Sequence, residues 1–272
     1  MMIRKLVRSG LMAMLHLISS ISVAAMPGWS GSEIEHGKLV GALPLLGEVF
    51  HVQGLALDPG HVWITSVDHA GHRAFLHVFE RASGRFLRRI ELTDGARYHP
   101  GGISLSGGSL WVPVAELRPD SSAVLMEIDV RTLKVRRRIA VADHIGCVAA
   151  NGSRLVAGNW DSRMLYEFDL ARGSQPVRVV KNPSATHFQD MKFAGGQLVA
   201  GGNIGWLEGT LDWIDPATMR VTRSLKAGTI GAVRPFGNGG PITGEGMAIE
   251  GRDLYVLPED GPSRVFHFRL DA

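Results

Sequence analysis

The stretch His51-Val-Gln-Gly-Leu-Ala-Leu57 decides the fold, because related stretches begin at His99, His144 and His187. A fifth copy begins at Thr243, and successive copies start 43 to 56 residues apart. A repeat of this length, made of short strands and turn residues, is typical of β-propeller blades. We therefore predict an all-β fold, a single five-bladed β-propeller.

Each copy contains the same succession of strands. An inner strand, such as residues 54–57, is followed by a polar turn and a second apolar run, such as residues 62–64. A third strand alternates with period two, and the outer strand, such as residues 86–90, is charged on one face. The fifth copy ends after its third strand, at residues 265–268. We predict that residues 38–44 supply the missing outer strand and close the ring, which leaves no unpaired edge.

The N-terminus has the pattern of a secretory signal peptide. Three basic residues precede an apolar stretch at 11–24, and small residues follow at the expected cleavage site. An uncleaved membrane anchor is the alternative. Cleavage predicts an exported protein, periplasmic or extracellular, without a stable membrane span. The predicted segments are a signal peptide (1–25), a linker (26–37) and the propeller (38–272).

Composition argues against a nucleic-acid-binding protein and against a disulfide-bonded one. Loss of Arg4, Lys5 and Arg8 with the signal lowers the formal charge from +3 to zero. The remaining basic runs lie in predicted outer strands that face water, so we predict no nucleic-acid partner. The single cysteine, Cys147, excludes an intramolecular disulfide and lies in an apolar inner strand.

The four equivalent histidines are predicted to surround one mouth of the axial channel, because the inner strands begin there. Neutral imidazole is a common transition-metal ligand, so His51, His99, His144 and His187 are candidate ligands of Zn²⁺, Fe²⁺ or Mn²⁺. In WD-type propellers, however, a histidine in this loop holds the blade together through hydrogen bonds. A structural role, a metal site and direct ligand contact all remain open.

Other polar residues fall near the same mouth. Strand residues two positions apart share a face, and the loops between second and third strands open on this side. A polar mouth with an aromatic rim is the default ligand site. The candidate ligand-binding residues are Gln53, Gln189, Trp160, Asp161 and Trp206.

Two carboxylates are candidate catalytic bases, Glu245 and Asp190. Glu245 is the only acidic residue two positions after the repeat start, and we expect the imidazoles to favour its ionised form. Glu259 is placed on the rim without an assigned role, and His69 and His72 are expected to be exposed to solvent.

The layout resembles the secreted five-bladed propellers of the glutaminyl cyclotransferase type. Gln53-Gly54-Leu55 matches the Gln-Gly-Leu of their first blade, and Gln189-Asp190 stands where they have Asn-Glu. Pro100-Gly101-Gly102 replaces their second-blade glutamate, the third blade lacks their tryptophan, and Gly244-Glu245-Gly246 falls in the fifth blade. The four histidines are not part of that family's pattern.

Three functions follow from these observations. The first is an exported enzyme, with or without a metal ion, that acts on a small molecule or peptide terminus at the histidine-lined mouth. The second is a non-catalytic propeller that binds a ligand or a protein, with structural histidines. The third, implied by the resemblance, is a glutaminyl cyclotransferase-like acyltransferase. The sequence leaves the oligomeric state open.

Overall fold

The computed structural model describes residues 34–229, 240–259, 261 and 263–272, and consists of five antiparallel sheets. This confirms the five-bladed propeller. The predicted signal peptide and most of the predicted linker lie outside the described residues. Within the described part of the chain, no helix has the length and apolar character needed to cross a membrane.

Every blade has four strands, and in blade 2 the inner strand is broken into two short pieces. The N-terminal strand is β1 (Gly37–Pro44). Blade 1 consists of β2 (His51–Leu57), β3 (His61–Asp68), β4 (Arg73–Glu80) and β5 (Phe86–Glu91). Blade 2 consists of β6 (His99–Pro100), β7 (Ser104–Ser106), β8 (Ser109–Ala115), β9 (Ala123–Asp129) and β10 (Val135–Val141). Blade 3 consists of β11 (Ile145–Asn151), β12 (Arg154–Asn159), β13 (Met164–Asp169) and β14 (Pro176–Lys181). Blade 4 consists of β15 (His187–Ala194), β16 (Gln197–Asn203), β17 (Gly209–Asp215) and β18 (Arg220–Ala227). Blade 5 consists of β19 (Gly246–Glu250), β20 (Asp253–Leu257), β21 (Arg264–Leu270) and, as its outer strand, β1.

The two ends of the chain close the ring together. Strand β1 pairs antiparallel with β21, from Gly37 opposite Leu270 to Pro44 opposite Arg264. The predicted closure by an N-terminal strand is therefore confirmed. Because the outer edge of blade 5 is covered by β1, that blade has the same four strands as the others.

Burial decreases from the channel axis outward. The interior of β2 is buried, whereas five of the six residues of the outer strand β5 are exposed. The core lies between adjacent blades, where Trp63 of blade 1 packs with Ile103 and Leu110 of blade 2. The charged residues of the outer strand β5 are thus explained by its exposure to water.

Five residues, one from each blade at the same position of the repeat, meet at the channel axis. Only one of them carries a charge. This axial layer consists of Gly54, Gly102, Cys147, Asp190 and Gly246. Asp190 has no exposed surface. Its Oδ2 accepts backbone hydrogen bonds at 3.0 Å from Leu55 of blade 1 and Met247 of blade 5.

The second oxygen of Asp190 is paired with a buried cation. Lys192 Nζ lies 2.5 Å from Asp190 Oδ1, and the lysine is 8% exposed. Burial raises the pKa of Asp190 to about 6, although the charge of Lys192 and the two backbone N–H groups act in the opposite direction. Burial likewise lowers the pKa of Lys192. A general base has to reach a substrate at the open mouth. Asp190 is instead buried at the axis.

Glycines allow the inner strands to approach the Asp190 carboxylate. A Cβ atom on Gly102 would lie 2.7 Å from Asp190 Oδ1 and 2.4 Å from the Gln189 carbonyl oxygen. The same glycine joins blades 2 and 3, because its N–H donates to the Gly146 carbonyl at 2.9 Å. A side chain at this position would force the blades apart.

We expect Asp190→Ala to destabilise the protein by about 3–5 kcal/mol, because the Lys192 ammonium would remain buried without its partner. Chemical denaturation measures this loss. The double variant Asp190→Ala/Lys192→Met should recover part of it, and Asp271→Ala, at an exposed position, should change stability by less than about 0.5 kcal/mol. Equal losses in the single and double variants would contradict the pairing.

Candidate functional site

Three ionisable side chains meet at the mouth where blade 5 adjoins blade 1. His51 is the first residue of β2, Glu245 immediately precedes β19, and Glu259 follows β20. His51 Nδ1 lies 2.8 Å from Glu259 Oε1, and His51 Nε2 lies 3.9 Å from Glu245 Oε1. The imidazole is thus held between two carboxyl groups, an arrangement that we call the Glu–His–Glu group.

The surroundings shift the pKa of two members of this group upward. For His51, burial acts to lower the pKa, but the hydrogen bond to Glu259 and the charges of Glu245 and Glu259 outweigh it, so the pKa lies above the ordinary 6.5. For Glu245, whose side chain is 16% exposed, burial raises the pKa to about 8 against the effect of His51. At neutral pH Glu245 is therefore mainly a protonated acid.

We expected the imidazoles to favour the ionised form of Glu245 and keep it a base near neutral pH; His51 does favour that form, but burial outweighs it. Burial lowers the pKa of His99 to about 3 and also lowers the pKa of His69 and His144. These rings are therefore neutral near pH 7 and supply no positive charge. Only His51 lies close enough to oppose the effect of burial on Glu245.

Two cavities open beside the Glu–His–Glu group. The larger has a volume of about 440 Å³, and its lining includes Glu48, His51 and Glu259. The smaller has a volume of about 180 Å³, and its lining includes Trp206, Glu245 and Glu259. Because Glu259 lines both, a ligand in either cavity lies next to the ionisable residues.

The predicted histidine ring is only partly formed. The ring of His69 lies between those of His51 and His99, with centroid distances of 5.2 and 6.5 Å, and His144 lies 5.7 Å beyond His99. His187 is half-exposed and stands apart from this row, with its Nδ1 3.8 Å from Asp161 Oδ1. His69, exposed as expected, was missed as a neighbour of the site because it lies in the β3–β4 loop, outside the repeat.

The structure offers one candidate metal centre that differs from the predicted four histidines. Among the described residues, the only group whose ligand atoms lie within 4.8 Å of one another is His51, Glu245 and Glu259. Nδ1 of His144 is hydrogen-bonded to the carbonyl oxygens of Glu116, at 2.8 Å, and Arg118, at 3.2 Å. His144 thus makes the kind of backbone contact expected of a structural histidine.

The predicted ligand-binding residues fall in different places. Trp206 is 81% exposed and lines the smaller cavity. Gln53 is buried, and Gln189 Nε2 donates to Asn203 Oδ1 at 3.4 Å. The Trp160 ring contacts the edge of His144, and Asp161 is 3.2 Å from Arg163.

Bulges explain why the period of two misplaced the glutamines. Strand β2 shifts register between Val52 and Gly54, and β15 shifts between Phe188 and Asp190. Gln53 and Gln189 are the extra residues at these bulges. A bulge moves every following side chain to the other face, so Asp190 reaches the axis where the simple alternation placed its neighbour.

A comparison of the sequence with known families identifies the family of this chain. The profile of a family of unknown function, DUF6454, matches residues 33–194, which is more than half of the chain. The chain belongs to this family. A search of curated protein sequences finds no match for this DUF6454 member.

Several solved structures are similar to this DUF6454 member. Glutaminyl cyclase from Myxococcus xanthus is 18% identical, with a TM-score of 0.61 over 86% of this chain and 96% of that chain. The PQQ-bound aldose sugar dehydrogenase from Streptomyces coelicolor is 13% identical, with a TM-score of 0.47 over 86% of this chain and 98% of that chain. The Neurospora crassa Pan2 WD40 domain is 8% identical, with a TM-score of 0.47 over 89% of this chain and 98% of that chain. The first likeness confirms the resemblance to glutaminyl cyclotransferases as a likeness of fold.

The raised pKa of Glu245 predicts a pH-dependent difference between the wild type and Glu245→Gln. A carboxyl group that binds its proton more tightly when folded destabilises the folded state as pH rises from the ordinary pKa of 4.5 towards about 8. Relative to Glu245→Gln, the wild type should lose roughly 1–3 kcal/mol of unfolding free energy across this range. Unfolding measured from pH 5 to 8, with the exposed Glu208→Gln as control, tests this. Parallel curves for wild type and Glu245→Gln would contradict it.

The contacts of the histidines predict unequal effects of their removal. His144→Ala should cost about 1–3 kcal/mol, because two backbone carbonyls lose a buried partner. His187→Ala, at a half-exposed position, should cost less than about 0.5 kcal/mol. Thermal and chemical denaturation measure both. A larger loss in His187→Ala than in His144→Ala would contradict the structural role of His144.

Proposed function

We propose that this DUF6454 member is an exported enzyme that uses the Glu–His–Glu group for acid–base catalysis on a small molecule or peptide terminus. The observation that supports the proposal is His51 held between Glu245 and Glu259 beside two cavities. The pattern of residues 1–25 supports export.

Each member of the group has a role that its surroundings favour. Glu245, with a pKa of about 8, is a protonated acid near neutral pH and donates a proton to a leaving or developing negative group. Glu259 binds the Nδ1 side of His51 and fixes the ring, so Nε2 is directed to the Glu245 side. Raised carboxyl pKa values of this kind are typical of catalytic acids.

A metal-dependent enzyme is the second candidate, favoured by the distances within the same group. His51, Glu245 and Glu259 together provide one imidazole and two carboxylates, a set that suits Zn²⁺, Fe²⁺ or Mn²⁺. A bound ion would polarise a substrate oxygen or acidify water. Glu245 would then be ionised, because a metal ligand has to lose its proton.

Glutaminyl cyclisation is a specific version of the acid–base proposal. The fold is similar to that of the Myxococcus xanthus glutaminyl cyclase. Closure of an N-terminal glutamine onto its own amide releases ammonia and requires a proton transfer from the attacking amine to the leaving group. Glu245 and His51 provide groups for that transfer. A non-catalytic propeller that binds a ligand or a protein is the competing function.

We expect Glu245→Gln to lower turnover by at least about 100-fold without a loss of folding, because an amide of the same size cannot donate an acidic proton. Release of ammonia from glutaminyl peptides is measured first, followed by other small amide and ester substrates. Glu208→Gln, on a neighbouring exposed loop, is the matched control. Undiminished turnover in Glu245→Gln would refute the acid–base role. If no substrate of the panel is turned over, the cyclisation and enzyme proposals fail on that panel, in favour of a binding propeller.

Elemental analysis of the purified protein distinguishes the proposed metal-dependent enzyme from the proposed metal-free enzyme. If a metal acts here, His51→Ala should lose the bound Zn, Fe or Mn, whereas His99→Ala and His144→Ala should retain it. Loss of metal in His99→Ala or His144→Ala would instead favour the predicted four-histidine ring. A protein without stoichiometric metal that retains turnover supports acid–base catalysis alone.

A further inference from the structure

The turn between β11 and β12 presents an Asn-Gly dipeptide at the surface. Asn151 ends β11 and pairs with Arg154 at the start of β12, so Gly152 and Ser153 form a two-residue hairpin loop. Gly152 has a φ of 59°, which favours glycine at the first position of such a loop. Asn151 and both loop residues are exposed. The whole length of β11 separates this turn from the channel mouth, where His144 precedes the strand.

An asparagine that precedes glycine can react with its own backbone. The backbone nitrogen of the glycine attacks the side-chain amide carbon, a C–N bond forms, and the amide nitrogen leaves as ammonia with the proton of the attacking nitrogen. Water then opens the five-membered imide at one of its two carbonyl groups and yields aspartate or isoaspartate. Glycine hinders the attack least because it has no Cβ atom. A following proline prevents the reaction, because its nitrogen carries no hydrogen.

The surroundings of Asn151 leave its side chain free to react but restrain the attacking nitrogen. The side-chain amide makes no hydrogen bond to another described residue, and a Cβ position on Gly152 has no atom within 4 Å apart from its chain neighbours. The N–H of Gly152, however, donates to Ser106 Oγ of blade 2 at 3.1 Å. Asn151 has the extended backbone of a strand, so ring closure requires the Gly152 peptide unit to rotate and to break this hydrogen bond. The Ser106 hydroxyl therefore opposes the reaction.

We propose that Asn151 is a site of spontaneous deamidation and that the Ser106 hydroxyl sets its rate. Isoaspartate adds one methylene group to the backbone at the end of β11, so the hairpin loses its register opposite Arg154. The contact of Gly152 with blade 2 is lost at the same time, and a carboxylate replaces a neutral amide. The modification thus weakens the junction of blades 2 and 3. It takes place whether or not the proposed function is correct.

Incubation of the purified protein at pH 7 and pH 9, followed by peptide mapping with mass spectrometry, tests the proposal. We expect Asn151 to be converted to aspartate and isoaspartate, at least tenfold faster at pH 9, because hydroxide removes the proton of the attacking nitrogen. Asn182 is the internal reference, since Pro183 follows it and no imide forms by this route. Unchanged Asn151 after a synthetic peptide of residues 148–156 has reacted completely would overturn the proposal.

Serine variants test the role of the hydroxyl. Ser106→Ala removes the acceptor of the Gly152 N–H and should speed the deamidation of Asn151 at least threefold, whereas Ser106→Thr keeps a hydroxyl and should react as the wild type does. Ser104→Ala is the matched control, because Ser104 Oγ accepts from the N–H of Ala150 in the same hairpin, at 3.0 Å. It should change the rate less than twofold. Equal acceleration in both alanine variants would overturn the role of Ser106, since the rate would then follow opening of the whole hairpin.

Thermal unfolding of the aged protein tests the consequence for the blade junction. Asn151→Asp is the comparison, because it carries the same additional charge without the additional backbone methylene. The aged protein, which contains isoaspartate, should have a lower Tm than Asn151→Asp. Equal Tm values for the two would overturn the weakening of the junction of blades 2 and 3.

Discussion

The hydrogen-bonded carboxylate of Asp190 on the channel axis is the constraint on which the rest of the propeller depends. A ring of blades has its closest approach at the axis, where inner strands have unpaired N–H groups and little room. One carboxylate accepts from Leu55 and Met247 in two other blades and is neutralised by Lys192. The glycines of the axial layer provide the space, since a Cβ atom on Gly102 would collide with the carboxylate.

The same carboxylate positions the candidate site. Leu55 lies four residues after His51 in β2, and Met247 lies two residues after Glu245 at the start of β19. Holding these two strands at the axis fixes the separation of the imidazole and the carboxyl group that begin them. Groups held on strands are positioned more precisely than groups on loops, and His51 lies on such a strand while Glu245 directly precedes one. The buried ion pair thus helps to position the Glu–His–Glu group.

The repeat made the fold predictable, but the site required side-chain directions that a repeat does not encode. Strand order and closure by residues 38–44 follow from hydrophobic alternation and from the missing strand of the fifth copy. Bulges after Val52 and Phe188 reverse the facing of later residues. Asp190 therefore lies at the axis, although the sequence placed it at the mouth. The role of Glu259 was missed for a different reason, since a loop residue without an equivalent in other blades gives no periodic signal.

In two blades the residue at the histidine repeat position makes a hydrogen bond to the backbone of the preceding blade. The residue there contacts the preceding blade: His144 binds the carbonyl oxygens of Glu116 and Arg118, and Thr243 donates to the Gly202 carbonyl at 2.8 Å. His51 makes the same contact across the junction of blades 5 and 1, but its partner there is the carboxylate of Glu259. The charged partner of His51 raises its pKa and places an ionisable pair beside Glu245. The structural and functional interpretations of the histidines are therefore compatible, because the candidate site is a blade-to-blade contact with one partner exchanged.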